Sequence, residues 1–458
     1  MDLFSTVAAI STPYGTGGIS VIRISGADAV KIADSVFRAS SGKKLADAMT
    51  HTIHHGHIYS TDGKRIDEVL ASVMRAPRTF TGEDTVEINC HGGLLVTKLV
   101  LENILASGAV HADRGEFTKR AFLNGKLDLC EAESVIDVIN SKTALEQQIS
   151  VNNLGGALSH KINRLRDRIL TLSANIQVLI DYPDEGLEPF GDDEFANELC
   201  SIYESISALH KTSDAGMLLR SGIASAIVGK PNVGKSSLLN LLAGQEKAIV
   251  TDVEGITRDA IEKYITIGSI TLRLADTAGI RDTEDVVEKI GVEKSMEYIN
   301  KSELIICMAD AKSGLDQRDF EIIEAIKNKK KIALINKVDS GCAVSVDELK
   351  SHFDYVIEFS VKAEKGVDEL EAAIKALFEM GEVMAGAESV ITNARHRDAL
   401  GKAMTALKSA IDAQNMGIPV DTTFIDLEAA ATALGEIVGM TVSEEIVDKI
   451  FHKFCVGK

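Results

Sequence analysis

Hydrophobic and polar positions divide this chain into stretches of different period. Near the start, Ile19-Ser20-Val21-Ile22-Arg23-Ile24 and Thr85-Val86-Glu87-Ile88-Asn89 are short stretches. They are rich in β-branched side chains and bounded by glycines, which predicts strands. Gly92-Gly93 then opens a predicted helix from Leu94 to about Leu105. The glycine-rich run from Ser11 to Gly18 lies between strands and lacks a following Gly-Lys-Ser, so it reads as a turn. From Glu116 to about Gly216 the pattern becomes helical. Leu154, Leu158, Ile162, Leu165, Ile169, Leu172 and Ile176 recur at steps of three and four and line one helix face. The acidic stretch Asp181-Tyr182-Pro183-Asp184-Glu185-Gly186 interrupts it as a loop.

From residue 217 to about 378, strands and helices alternate. Ala224–Val228, Leu272–Ala275, Leu304–Ala309, Ile332–Ile335 and Val356–Phe359 are the predicted strands. That order predicts a parallel sheet with helices on both faces. From about Glu382 to Lys458 the chain is helical again and Ala-rich. The expected organisation is α/β plus α-helical and multidomain. An N-terminal α+β domain spans 1–118, and a discontinuous helical domain spans 119–216 and 379–458. The α/β domain with the parallel sheet is inserted at 217–378.

Composition narrows this picture little. The chain has 458 residues, 45% of them hydrophobic and 26% charged, as in ordinary globular proteins. No apolar run approaches the length that spans a bilayer, and the start does not resemble a secretory signal. The cysteines Cys90, Cys130, Cys200, Cys307, Cys342 and Cys455 are scattered, without a Cys-x-x-Cys pair. A reducing, cytoplasmic setting is expected. The formal net charge of −19 argues against a wide nucleic-acid-binding face. Lys161, Arg164, Arg166 and Arg168 read as a solvated helix face. His51, His54, His55 and His57 invite a metal reading. However, His54 points away from His55 and His57 on a strand, and no Asp or Cys completes a set nearby.

Four short pieces carry the chemistry. Gly229-Lys230-Pro231-Asn232-Val233-Gly234-Lys235-Ser236 follows an apolar strand and opens a helix, a nest of N–H groups for phosphate. Lys235 is expected to reach the outer phosphates and the Ser236 hydroxyl to bind Mg²⁺. In Asp276-Thr277-Ala278-Gly279, the carboxylate suits the outer sphere of Mg²⁺ and the Gly279 N–H suits the γ-phosphate. Asn336-Lys337-Val338-Asp339 selects the base, because the Asp339 carboxylate accepts two N–H bonds from guanine and adenine offers no equivalent pair. Ser360-Val361-Lys362 completes the base site through its backbone. The four in this order point to a GTPase, so the domain inserted at 217–378 is expected to be a Ras-like P-loop GTPase domain. Ile280 stands where Ras-like enzymes carry the water-orienting glutamine, so that task falls elsewhere. Asn232 offers a side-chain carbonyl to a monovalent cation beside the phosphates.

The chain resembles the MnmE (TrmE) family of tRNA modification GTPases from end to end. Thr81-Gly82-Glu83-Asp84, His91-Gly92-Gly93, Arg114-Gly115-Glu116-Phe117, the run Arg120 to Leu129 and the ending Phe454-Cys455-Val456-Gly457-Lys458 carry the resemblance beside the four pieces. The resemblance implies an N-terminal folate-binding and dimerising domain. It also implies an FAD-containing GidA (MnmG) partner, with which the homodimer forms a heterotetramer or larger complex. Together they would add a carboxymethylaminomethyl-type group to carbon 5 of the wobble uridine of certain tRNAs. The one-carbon unit would come from 5-formyl- or methylene-tetrahydrofolate. Folate contacts fall on Arg23, Glu87, Lys126 and Lys458.

The resemblance further implies a K⁺-dependent GTPase. Nucleotide contacts run from Asn232 through Val233, Gly234, Lys235 and Ser236 to Ser237, and along Thr251, Asp252, Val253, Glu254, Gly255, Ile256 and Thr257. K⁺ falls on Asn232, Thr251, Val253 and the position of Ile256, and Mg²⁺ on Ser236 and Thr257. Glu288, twelve residues past Asp276, would position the attacking water. Ile256 departs from the family's threonine and removes a hydroxyl beside the cation loop. A GTPase switch in ribosome assembly is the competing reading, which the folate-type contacts and the acidic balance disfavour.

Overall fold

The computed structural model describes residues 5–182, 192–244, 263–274, 299–313, 315–341, 346–381 and 389–458. Elements are numbered among these. The chain forms two compact units, one from residues 1–136 with 435–458 and one from residues 137–434.

The first unit is built on a seven-stranded sheet. Its strands are β1 (Val7–Ile10), β2 (Ile19–Ser25), β3 (Phe37–Ala39), β4 (Thr52–Tyr59), β5 (Arg65–Met74), β6 (Thr85–His91) and β7 (Val110–His111). The order is β3-β4-β5-β6-β2-β1-β7, with every pair antiparallel except β1 with β7. Alternation along β2 buries Ser20, Ile22 and Ile24 and leaves Val21 and Arg23 half-exposed on the other face. Ile22 and Ile24 join Val69, Ala71, Val73, Val86 and Ile88 in a core closed by α1 (Ala29–Val36) and α2 (Leu94–Ala106). The glycine-rich run 11–18 is the β1–β2 connection, as expected of a turn. Strands β4 and β5 exceed what the sequence pattern indicated.

A second, smaller core in this unit joins chain segments far apart in sequence. Phe122, from α3 (Glu116–Leu123), packs with Leu129 and Ala132 of α4 (Leu129–Asn140) against Val447, Phe451 and Phe454 near the C-terminus. The final residues then run back to α3. Arg114 bridges Val456, and the Phe117 N–H donates to the Lys458 carbonyl at 3.1 Å. Gly457 has φ +91°, and a Cβ there would meet the Ile10 carbonyl oxygen at 2.0 Å. Only glycine passes at that point.

The second unit combines helices with a six-stranded sheet. The helical part holds α5 (Ala144–Leu154), α6 (Ala157–Asp181), α7 (Asp192–Ser221) and, after the sheet, α12 (Ala394–Asn415). Leu158, Ile162, Leu165, Ile169, Leu172 and Ile176 of the predicted stripe are buried on α6. Leu154 instead ends α5, where Gly155 and Gly156 separate the two helices.

The sheet has the order β13-β12-β11-β8-β10-β9. Its strands are β8 (Ile223–Val228), β9 (Lys263–Ile267), β10 (Ile270–Leu274), β11 (Leu304–Asp310), β12 (Lys330–Asn336) and β13 (Tyr355–Glu358). β11 and β12 are apolar almost throughout because both faces are covered. Leu304, Ile306 and Met308 enter the core shared with α8 (Lys235–Gly244), α11 (Val367–Leu377) and α7. Ile305 turns the other way, to the core shared with α9 (Gln317–Ala325) and α10 (Val346–Lys350). This is the doubly covered α/β sheet expected for 217–378, with one difference: β9 is an antiparallel edge strand. Only Gly268 and Ser269 separate it from β10, and a two-residue connection permits no other pairing. Ile149 of α5 and Ala215 of α7 enter the core of this sheet, and the segment before α12 packs back on the first helices. A Cβ at Gly216 of α7 would lie 2.2 Å from the Ile391 carbonyl oxygen, and Asn153 Nδ2 donates to the Val390 carbonyl at 3.3 Å.

Candidate active site

The parallel strands of the second unit point their C-terminal ends toward one crevice, where such sheets bind ligands. β8 ends at Val228 and the phosphate loop begins at Gly229. Three residues in that loop take positive φ: Gly229 at 144°, Asn232 at 62° and Gly234 at 108°. A Cβ at Gly229 would meet the Met308 carbonyl oxygen at 2.4 Å, and one at Gly234 would meet Asn336 Nδ2 at 2.3 Å. The two glycines are therefore required by space as well as by backbone angle. The Lys235 ammonium folds over the loop and donates to the carbonyls of Gly229 at 2.8 Å and Lys230 at 2.7 Å. Ser236 and Ser237 open α8 with exposed side chains, while Val233 is buried beneath the loop.

The base-reading pieces lie at the ends of β12 and just past β13, and they are tied to the phosphate loop. Asn336 is 3% exposed; its Nδ2 donates to the Val233 carbonyl at 2.8 Å, and its Oδ1 accepts from the Val361 N–H at 3.2 Å. One side chain thus joins three of the four pieces. Lys337 adopts a left-handed conformation, φ 68°, uncommon for a lysine. Its ammonium donates to the Asn232 carbonyl at 2.9 Å and to Asp310 Oδ2 at 2.6 Å. Burial pushes the Asp310 carboxyl up, but the Lys337 ammonium and the Lys312 N–H outweigh it and hold the group below its usual range. Asp339 Oδ1 accepts from the Ser360 hydroxyl at 2.8 Å, and Lys362 is exposed beside it. Asp310, which ends β11, escaped the sequence reading. Its signal was a carboxylate closing an otherwise apolar strand, as Asp276 follows β10.

Thr251 to Thr257, including Ile256, lie outside the described residues, as do Asp276, Thr277, Ala278, Gly279, Ile280 and Glu288. Cys307 on β11 is close by, and burial pushes its thiol up to about 12. It is no nucleophile at neutral pH.

The first unit holds a separate polar cluster. Arg23 and Glu87 face each other across β2 and β6, and Arg23 Nε donates to Glu87 Oε1 at 2.8 Å. The guanidinium lies 5.7 Å from the Phe80 ring centroid and 5.4 Å from that of Phe117. Phe117 is also the residue whose N–H holds Lys458. Lys126 donates to the Pro77 carbonyl at 3.1 Å, and Asn124 Nδ2 donates to the Thr81 carbonyl at 2.7 Å, so the turn after α3 grips the 77–84 loop. Beneath them Arg120, 2% exposed, is ion-paired to Glu116 and to Glu83. The structure therefore links Arg23 and Glu87 to Lys458 through Phe117, and ties Lys126 to the loop that carries Phe80. Sequence reasoning missed Phe80 and, although it singled out the motifs that hold Phe117 and Arg120, gave those two no place in this cluster.

The histidines of β4 find local partners. His55 bonds Glu68 at 2.8 Å and His54 bonds the Thr52 hydroxyl at 2.8 Å. Among the described residues no group of three or more His, Cys, Asp and Glu side chains is arranged to hold a metal. On α6, Arg168 is occupied by Glu198 at 2.6 Å, and Lys161 and Arg164 are exposed.

Comparison with known proteins covers the whole chain. The family model of the GTP-binding protein TrmE N-terminus matches residues 6–126, and that of the MnmE helical domain matches residues 129–455. A tRNA modification GTPase MnmE of Lactobacillus helveticus is 47% identical over 457 residues, covering 99% of this chain and 98% of its own. One of Acetivibrio thermocellus is 47% identical over 456 residues, covering 99% of each. Among solved structures, Aquifex aeolicus Era bound to GDP·AlF₄⁻ is 33% identical over 40% of this chain and 65% of its own. Its TM-score of 0.27 is too low to carry weight.

Proposed function

The chain belongs to the MnmE family of tRNA modification GTPases, and from that premise we propose that its GTP cycle drives a modification at carbon 5 of the wobble uridine of certain tRNAs. The group added is of the carboxymethylaminomethyl type. The chain works as a cytoplasmic homodimer with an FAD-containing GidA (MnmG) partner. No described helix is long and apolar enough to cross a membrane.

The observation that carries the nucleotide half of this reading is the Asn336 bridge between the phosphate loop and the segment after β13. It ties the phosphate loop to the segment whose Ser360 hydroxyl bonds Asp339, and the Asp339 carboxylate suits the two N–H donors of guanine. Ser236 and Thr257 are the hydroxyls suited to Mg²⁺, and Asn232 with Thr251 and Val253 supplies oxygens suited to K⁺. With Ile280 unable to orient water, Glu288 takes that task.

The folate half rests on the donor set around Arg23. A carboxylate at Glu87 suits pterin N–H groups, the Phe80 and Phe117 rings offer apolar faces, and Lys126 and Lys458 suit the carboxylates of the glutamate tail. A tetrahydrofolate bound there supplies the one-carbon unit. The chain's own work is to bind and orient it: Glu87 keeps the guanidinium on its strand face, and the docked tail brings Lys458 to the same cluster.

GTP hydrolysis measured in K⁺ and in Na⁺, with and without the flavin partner, tests the first half. Faster turnover in K⁺ is expected, and identical rates in the two salts would overturn the cation assignment. Titration with 5-formyl-tetrahydrofolate tests the second. Saturable binding that weakens in Arg23→Ala is expected, whereas a protein without folate affinity would return the chain to the ribosome-assembly reading.

A further inference from the structure

Lys230 is the one charged residue of the phosphate loop's first turn, and it does not face the crevice. Its ammonium is taken by two carboxylates at the start of α9, Asp316 Oδ2 at 3.0 Å and Asp319 Oδ2 at 2.6 Å. The Lys230 and Asp319 side chains are only 13% and 8% exposed. Neither acid belongs to any of the four nucleotide pieces, and Asp316 lies 86 positions along the chain from Lys230.

The two acids are themselves locked. Asp316 caps α9, accepting from the N–H groups of Arg318 and Asp319, and Asp319 returns the bond by accepting from the Asp316 N–H at 2.9 Å. This reciprocal capping box gives the ion pair a base that cannot rotate freely. At the other end, the carbonyl of Lys230 itself receives the Lys235 ammonium at 2.7 Å. The chain of contact runs from the α9 capping box, through the Lys230 side chain, to the carbonyl that seats the phosphate-binding lysine.

We infer that Lys230, Asp319 and Asp316 form a strut that fixes the first turn of the phosphate loop. These are positioning residues for triphosphate and diphosphate binding. Fixing the turn holds the Gly229 and Lys230 carbonyls as a seat for Lys235 and keeps the loop N–H groups converged on one point. The strut also sets a charge balance. Lys230 neutralises the charge of the two carboxylates that hold this end of the loop, so its removal leaves two acids unbalanced beside the first turn. This proposal rests on the guanine-nucleotide reading of the loop.

The test compares the full-length wild type with Asp319→Asn, Lys230→Gln and Lys230→Arg, using fluorescent GTP and GDP analogues for affinity and phosphate release for turnover. Asp319→Asn is expected to weaken both nucleotides by roughly tenfold, with kcat at saturation within about twofold. Lys230→Gln should be weaker still and gain sensitivity to low salt, because it exposes the phosphates to an unbalanced acid pair. Lys230→Arg should recover most of the affinity. A wild type that binds neither analogue would sink the guanine reading itself. A wild type that binds normally alongside variants with unchanged affinities would sink the strut alone. Loss confined to the melting temperature of the nucleotide-free protein, with affinity unmoved, would also overturn it.

Discussion

Replacing Glu146 by glutamine should stabilise this protein at alkaline pH and leave it unchanged in acid. Glu146 is the third residue of α5 and only 6% exposed. Thr143 caps the helix by accepting its N–H at 3.1 Å, and the Glu146 carboxylate accepts from the Lys142 N–H at 2.8 Å. Burial is the largest influence on the group, with the Asp137 charge adding to it, and the Lys142 N–H and charge oppose them; the carboxyl is pushed up to about 7. Asp137 is itself paired to Arg220 at 2.6 Å. The Lys142 ammonium lies 3.1 Å from the Tyr264 ring centroid on β9, and Ile149, two turns further along α5, enters the core of the GTPase sheet. Glu146 thus sits where the helical part meets β9 and the core of the sheet.

The sign follows from which state holds the proton more tightly. The folded state, with its value raised from 4.5 to about 7, binds the proton in a window where the unfolded chain has already released it. Stability is therefore greatest below about pH 4.5, falls as pH rises through 7 and levels off above it. At about 1.4 kcal/mol per pH unit, the gap corresponds to roughly 3 kcal/mol at full ionisation. Glutamine keeps a carbonyl for the Lys142 N–H and carries no charge, so the variant escapes this loss. Because the chain has two compact units, a global melt would mix transitions. Hydrogen exchange of the α5 amides, corrected for intrinsic rates, reads the local opening energy instead. Glu146→Gln should exceed wild type by about 2–3 kcal/mol at pH 8.5 and match it within about 0.5 kcal/mol at pH 4. A difference that did not change with pH, or one that grew toward acid, would refute the reasoning.

Four further outcomes are expected. Asp339→Asn should weaken GTP by roughly 10- to 100-fold and admit xanthosine triphosphate, because an amide presents a donor where guanine also donates; direct nucleotide titration decides it. Glu288→Ala should retain GTP binding and lose most hydrolysis, and normal single-turnover rates would remove it from the water-positioning role. Ile256→Thr should raise the K⁺-to-Na⁺ ratio of hydrolysis, and an unchanged ratio would show that the missing hydroxyl has no part in cation binding. Gly457→Ala, which forces a methyl group into the Ile10 carbonyl at a left-handed φ, should loosen the tail that carries Lys458. Folate affinity should fall by about tenfold, with hydrolysis by the GTPase part unaltered.

The nucleotide site was legible in the sequence for a physical reason. In a doubly covered parallel sheet the binding groups sit where each strand stops, so each piece is contiguous with an apolar run that marks its strand. Val228 leads to Gly229, Ile335 to Asn336, and Phe359 to Ser360, with no long-range inference needed. The same holds for the stripe on α6, whose period is a local property. The folate-type cluster was not legible in this way. Arg23 and Glu87 meet only because β2 and β6 pair in one register across 64 positions, and each alone is an ordinary charge on a strand. Family resemblance supplied them and marked the motifs of Phe117 and Arg120, but it did not supply Phe80 or show that Phe117 flanks Arg23 with Arg120 buried nearby.

The least visible part was the wiring between pieces. Asn336 belongs to the base-reading motif by sequence, yet its hydrogen bonds go to Val233 and Val361, and it spends no atom on Asp339. Lys337 reaches back to Asn232 and Asp310. Lys230, a loop residue without an evident task, reaches a helix cap. In each case the partner is a backbone group or a carboxylate at the end of a neighbouring element, a place set by strand order. Motif spelling therefore identifies what the loop binds, whereas the order β13-β12-β11-β8 determines which side chains hold the loop in its binding shape. Because β8 and β11 are neighbours, the turns leaving them share carbonyls and cations. A substitution on the α9 capping box should thus alter nucleotide affinity although no motif contains it.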